Sequence, residues 1–169
     1  MARNIEIKAR ITSIAQMLPT VRALADEGPI EMTQDDTFFR CANGRLKLRA
    51  LSPAQGELIF YRRENRKGPK ESFYLRSATA EPEQLRRVLS LAYGEAGRIC
   101  KHRTLFLVGR TRVHLDRVEG LGEFLELEVV LGEQEAPGAG IQEAGELLQR
   151  LGIDGSQLID RAYVDMLQT

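Results

Sequence analysis

Several short stretches of this chain alternate strictly between charged and aliphatic residues. Arg45-Leu46-Lys47-Leu48-Arg49 puts three bases on one face of a strand and two leucines on the other, because successive side chains of a strand point to opposite sides. Asn4, Glu6, Lys8 and Arg10 oppose Ile5, Ile7, Ala9 and Ile11 in the same way. Lys101 and Arg103 share a face of the run 99–108; Arg110, Arg112, His114 and Asp116 share one over 110–118; Glu126 and Glu128 stand together against Leu125, Leu127 and Val129. A period of two, repeated in this many segments, commits the chain to a mainly antiparallel sheet.

Any one of these strands is explained by the solvated outer face of an ordinary sheet. Together they describe one polar surface dense in Lys and Arg, with carboxylates inserted at particular places. Like charges on neighbouring strands repel, so the bases require something anionic among them. Arg and Lys converging on one space can grip successive phosphoryl groups, and carboxylates among them can hold a hard cation such as Mg²⁺ or Mn²⁺. A closed sheet of about eight strands encloses such a space, with helices covering its aliphatic exterior. There is no Walker A sequence, so side chains rather than a glycine-rich backbone would bind the phosphates. Gly120-Leu121-Gly122 reads as a tight turn before a strand and carries no nucleotide-binding weight.

The chain-wide charge does not compete with this local argument. Lys and Arg number 24, as do Asp and Glu, which removes any global electrostatic case for nucleic acid or an acidic membrane surface. With 169 residues, 43% of them hydrophobic, the chain suits a single domain over 1–169. No apolar run reaches bilayer-spanning length and the polar N-terminus has no signal-like segment, so a cytoplasmic protein is expected. Cys41 and Cys100 lack metal-binding spacing and are expected to be reduced thiols. Two histidines and no tryptophan offer little material for a His-rich metal centre or a Ser-His-Asp triad.

Along the chain, Ser13 can cap a helix over 14–27, kinked or restarted at Pro19 and stopped by Gly28-Pro29. Strand-like text runs from Glu31 to about Ala50 with a turn at Asn43-Gly44, then over 57–63 and 72–76, the last two joined by a basic loop from Arg62 to Lys70. Thr79 offers a cap for a second helix ending at Gly94. Strands over 99–108, 110–118 and 122–131 follow, then a Gly/Pro loop over 136–140 and two helices over 141–151 and 157–167. This order suggests two weakly similar halves and an α+β architecture: an eight-stranded antiparallel closed β-barrel with a polar lumen and helices packed outside.

With these residues in order, the sequence resembles the CYTH, or triphosphate tunnel, superfamily over nearly its whole length. The motifs that carry the resemblance are Asn4-Ile5-Glu6-Ile7-Lys8 for the family's N-terminal ExExK, Gly44 to Arg49 for the basic second motif, and Tyr61 to Arg63. Lys101-His102-Arg103, Val108 to Asp116, and Gly120 to Glu128 complete the set. The resemblance implies a tunnel that binds a triphosphate with divalent metal. It makes Glu6, Glu126 and Glu128 metal ligands, with Asn4 at a ligand position. It makes Lys8, Arg45, Lys47, Arg49, Arg63, Lys101, Arg103 and Arg112 phosphate ligands, with Arg76 and Arg110 as further candidates. Lys8, Arg112 and Asp116 fall nearest the chemistry, Asp116 helping to place metal or the reacting hydroxyl. His114 is expected as a hydrogen-bonded structural imidazole rather than an acid-base group, and Tyr61 at the tunnel mouth.

Asn4 departs from the family's first Glu, and an amide oxygen brings no negative charge to a metal. The resemblance leaves three activities open. A class IV adenylyl cyclase converting ATP to cyclic AMP and pyrophosphate is favoured by the compact length and the C-terminal Ala162-Tyr163-Val164-Asp165-Met166-Leu167. A triphosphatase would hydrolyse inorganic triphosphate, thiamine triphosphate or a nucleoside triphosphate, and a non-catalytic nucleotide or polyphosphate binder would suit Asn4. A homodimer is plausible from the resemblance alone.

Overall fold

Ile5, Ile7 and Ala9 are almost wholly excluded from solvent, and they fix the orientation of the first strand, β1 (Ala2–Arg10). Their face packs outward against helices while Asn4, Glu6 and Lys8 turn inward. The same rule orients β2 (Glu27–Phe39), β3 (Arg45–Ser52), β4 (Gln55–Arg63) and β5 (Lys70–Thr79). It also orients β6 (Glu95–Val108), β7 (Thr111–Val118) and β8 (Gly122–Leu131). In the computed structural model, which describes residues 2–168, these eight strands pair antiparallel in the order β5-β4-β3-β2-β6-β7-β8-β1, and β1 pairs again with β5 to close the barrel.

Three helices cover the apolar exterior. Helix α1 (Ile14–Leu24) starts where the Ser13 hydroxyl accepts from the Gln16 backbone N–H, contains Pro19 without interruption, and ends three residues before the expected stop. Gly28-Pro29 instead lies inside β2 as a cis peptide. Helix α2 (Pro82–Tyr93) begins with Pro82, whose missing N–H costs nothing in the first turn. The expected cap Thr79 terminates β5, its hydroxyl accepting from the Glu81 N–H at 3.2 Å. Leu85 and Leu89 of α2 pack on Leu48 and Phe39.

Helix α3 (Pro137–Arg150) starts within the segment read as a loop. It lies close on β1 and β8 because Gly140 has no side chain: a Cβ there would stand 2.8 Å from both Ile5 and Leu131. Ala144, Leu147 and Leu148 of α3 then join Ile5, Leu127 and Leu131 in the main core.

The C-terminal segment is not the single helix expected over 157–167. A 3-10 turn (Gly155–Gln157) leads into a two-residue strand, β9 (Leu158–Ile159), and then a short helix, α4 (Tyr163–Leu167). The reason lies in β1: β5 pairs with it only from Ala2 to Glu6, and β9 takes over at Lys8 and Ala9, giving partners to backbone groups that would otherwise be exposed at a strand edge. Nor does α4 pack outside. With Ala162 it enters one end of the barrel, where Tyr163 and Val164 meet the inward-facing Phe38, Ile99, Val118 and Phe124. Among the described residues both cysteines are free, and no helix is long and apolar enough to cross a membrane.

Candidate active site

The inward faces enclose a cavity of about 350 Å³ lined by eight Lys and Arg side chains and five carboxylates. Tyr163 forms its floor. The Tyr163 ring packs at 4.9 Å from that of Phe124, Lys8 Nζ lies 3.7 Å from its centre, and its hydroxyl donates to Asp116 Oδ2 at 2.9 Å. Tyr61, expected at the mouth, packs against this floor cluster instead.

One wall is organised by Asp36. Its carboxylate accepts from Lys47 at 3.1 Å, from Arg49 at 2.8 and 2.7 Å, and from Lys101 at 3.1 Å. Burial alone would raise this carboxyl, but Arg49, Lys101 and Lys47 together hold it well below the usual carboxylate range. The lysines show the converse. Burial pulls Lys101 down to about 7 against the opposing pull of Asp36, and burial with the adjacent Arg49 brings Lys47 to about 8. An anion entering here would find cations already gathered.

The opposite wall collects the acids. Glu6 stands across from Glu128 in strand register, and Glu126 across from His114 and Lys8. Each carboxylate has a basic neighbour: Arg63 Nη1 lies 3.0 Å from Glu6, Arg103 donates to Glu126 at 2.8 Å, and Arg112 Nη2 lies 2.8 Å from Glu128. Lys8 lies 3.8 Å from Glu126. Burial raises the Glu6 carboxyl, Arg63 opposes this, and Glu126 and Glu128 push the same way as burial. His114 is lowered by burial and by Arg103, which favours the neutral imidazole.

This donor set fits a divalent cation. Glu126, Glu128 and His114 each bring a ligand atom within 4.8 Å of the others, Glu6 stands across from Glu128, and the buried Asn4 Oδ1, Gln34 Oε1 and His114 Nδ1 have no hydrogen-bond partner. Unpaired atoms of this kind are costly, and a cation held by Glu126 and Glu128 would satisfy the imidazole nitrogen. The imidazole expected to be hydrogen-bonded is held only loosely, its Nδ1 3.7 Å from Glu126 Oε2.

The sequence-based set divides cleanly. Lys8, Lys47, Arg49, Arg63, Arg76, Lys101, Arg103 and Arg112 line the cavity together with Asn4, Glu6, Glu126 and Glu128. Arg76 stands half-exposed, 3.7 Å from Glu57. Three residues lie elsewhere. Arg45 sits at the floor end of β3, where Asp165 of α4 holds it, one contact at 3.0 Å. Arg110 falls in the turn before β7 and pairs outside the barrel with Glu135 at 2.7 Å and Glu143 at 2.8 Å. Asp116 points inward but is covered: both its oxygens accept from Arg103 at 2.7 Å, which makes it a positioning residue for that guanidinium rather than a group in the cavity.

Sequence reasoning passed over Asp36, Tyr163 and Lys70. Lys70 is buried opposite Glu6, donates to the Arg66 carbonyl at 3.1 Å, and is drawn down to about 8 by burial. The signal for Asp36 was faint because the outer face of β2 is itself polar, with Asp35 and Thr37 bound by Arg86 of α2. Met32, Gln34, Asp36 and Phe38 do alternate inward, but no aliphatic partner set opposes them.

Fold and site together define a closed antiparallel barrel with an ionic lumen stopped at one end. Residues 2–163 match the CYTH domain, and the chain belongs to that family. It is 28% identical to the adenylate cyclase CyaB of Aeromonas hydrophila over 172 residues, covering 95% of this chain and 86% of that protein. Among solved structures it is similar to the PH1012 protein of Pyrococcus horikoshii OT3, at 21% identity and a TM-score of 0.84 over 96% of this chain and 98% of the other. It is also similar to HpAC1 from Hippeastrum, described with a dominant triphosphatase activity, at 16% identity and a TM-score of 0.66 over 99% and 94% of the two chains.

Proposed function

We propose that this protein is a divalent-metal-dependent adenylyl cyclase that takes ATP into the barrel and forms cyclic AMP and pyrophosphate. The observation that carries the nucleotide reading is an apolar set in the lumen wall, separate from the apolar floor of Phe38, Ile99 and Tyr163. Met32 on β2, Leu51 on β3 and Leu105 on β6 face inward beside Arg49 and Arg103; an inorganic polyanion has no use for them, whereas a nucleoside does. The curated relative, an adenylate cyclase matched over most of both chains, supports the same reading.

In this reading Lys47, Arg49 and Lys101, gathered by Asp36, bind phosphoryl oxygens, and Arg103, held flat by Asp116, presents two donors to the reacting phosphate. Glu6, Glu126 and Glu128, with Asn4, would hold Mg²⁺ or Mn²⁺, which neutralises charge on the phosphates when bound. The ribose 3′-hydroxyl loses its proton to solvent as its oxygen attacks the α-phosphorus in line, the bond to the β-phosphate oxygen breaks, and Arg63 and Arg112 stabilise the departing pyrophosphate. Catalysis in such a site comes from positioning and charge, without a covalent nucleophile.

A second reading is hydrolysis of inorganic triphosphate, and the stopped end favours it: a short linear polyanion fits a blind, basic chamber. Incubation with ATP and, separately, tripolyphosphate under Mg²⁺ and under Mn²⁺, with anion-exchange separation of products, tests both. Cyclic AMP with pyrophosphate supports the cyclase; orthophosphate supports hydrolysis. Tight metal-dependent binding without product returns the protein to a binding role.

A further inference from the structure

We infer that His114 is a nitrogen ligand to the metal, so that the centre is a mixed nitrogen–oxygen site favouring Mn²⁺ and Co²⁺ over Mg²⁺. This rests on the metal-dependent reading above. His114 is only 4% exposed, and its Nδ1 has no hydrogen-bond partner. That nitrogen lies 3.7 Å from Glu126 Oε2 and 4.0 Å from Glu128 Oε1, and one donor atom from each of the three residues falls within 4.8 Å of the others. Both distances are too long for hydrogen bonds. They are slightly wider than the roughly 3–3.5 Å between neighbouring ligands that each stand about 2.1 Å from an ion.

The arginines leave room for this. Arg112 takes Glu128 Oε2, so Oε1 faces the imidazole. Arg103, fixed by both oxygens of Asp116, also donates to Glu126 Oε2, the oxygen nearest the imidazole; that oxygen keeps a second lone pair for a cation. The strand register keeps His114 directly across from Glu126 and two residues from Arg112, which faces Glu128. The neutral imidazole adds a nitrogen donor to these carboxylates without adding charge. Oxygen sites suit Mg²⁺, while an imidazole gains more from the ions further along the first transition series.

The test is pulsed EPR of the full chain loaded with Mn²⁺, alone and with tripolyphosphate. Directly coordinated imidazole gives ¹⁴N modulation. The modulation should persist in His102→Gln, since the chain's other histidine lies on the outer surface beside Glu31, and vanish in His114→Gln. Co²⁺ titration should show His114→Gln binding about tenfold more weakly, with a smaller loss for Mg²⁺. Because the wild-type spectrum is informative by itself, a folding defect in the variant does not blunt the test. Bound Mn²⁺ with no ¹⁴N coupling overturns the ligand assignment and leaves the functional reading standing. Absence of Mn²⁺ binding, with or without tripolyphosphate, overturns both.

Discussion

The Tyr163 hydroxyl donates to Asp116 Oδ2 at 2.9 Å, joining the C-terminal helix to a carboxylate that otherwise serves Arg103 alone. Tyr163→Phe should therefore cost about 1.5–3 kcal/mol, a single buried hydrogen bond to a charged group, and lower Tm by about 3–12 °C. Tyr163→Ala also removes the ring under Lys8 and against Phe124 and should cost about 3–5 kcal/mol. Thermal melts of the two variants check the order; equal losses would mean that the ring contributes nothing to the floor.

Glu126→Gln should abolish metal-dependent turnover, by at least about 100-fold, while circular dichroism stays that of the wild type. Gln keeps the acceptor that Arg103 uses and removes the charge a cation needs. Full activity in this variant would remove Glu126 from the metal site.

Asn4→Glu restores a carboxylate to an inward position whose amide oxygen has no partner. Mn²⁺ binding by calorimetry should tighten about tenfold, the effect of one added charge near the ion at intermediate dielectric. An unchanged titration would show that the metal sits too far along the barrel to feel residue 4.

Lys101 predicts a pH dependence. In the free protein burial holds its ammonium down to about 7, and a bound polyphosphate raises that value by favouring the charged form. Binding then takes up a proton, so tripolyphosphate affinity should fall as pH rises from 7.5 to 9. Lys101→Arg stays charged throughout and should make the profile less steep, Lys47, itself near 8, supplying the remainder. Calorimetry in buffers of different ionisation enthalpy reads the proton uptake directly, and identical slopes for the two proteins would refute the assignment.

Arg110→Ala should leave kcat and KM unchanged and lower thermal stability only slightly, because its partners Glu135 and Glu143 lie outside the barrel. A substantial rise in KM would bring Arg110 back among the substrate ligands.

Alternation made the barrel legible. Where an aliphatic face opposes a charged one, as in β1, β3 and β8, parity alone placed Glu6, Lys47, Arg49, Glu126 and Glu128 inside, and the structure agrees. It failed where the two faces are chemically alike: β2 is polar on both sides, so Asp36, the hub of three bases, left only a faint trace. It also failed at strand ends, because parity says nothing of where a strand stops. Arg110 precedes β7 in a turn, and Arg45 reaches the level of α4. The C-terminal segment was read by helical spacing, whereas its form is dictated by partners far away in sequence, the open stretch of β1 and the apolar ring of Phe38, Ile99, Val118 and Phe124.

Among the described residues that ring, stoppered by Tyr163, closes one end of the chamber and leaves the other as the doorway. Whatever enters must displace water and small ions back past itself, and whatever is made must retreat along the way it came. For a substrate seated phosphates-first, the organic fragment is the first free to depart and the phosphate fragment waits behind it. For the cyclase proposed above, free pyrophosphate would then compete with substrate for the innermost place.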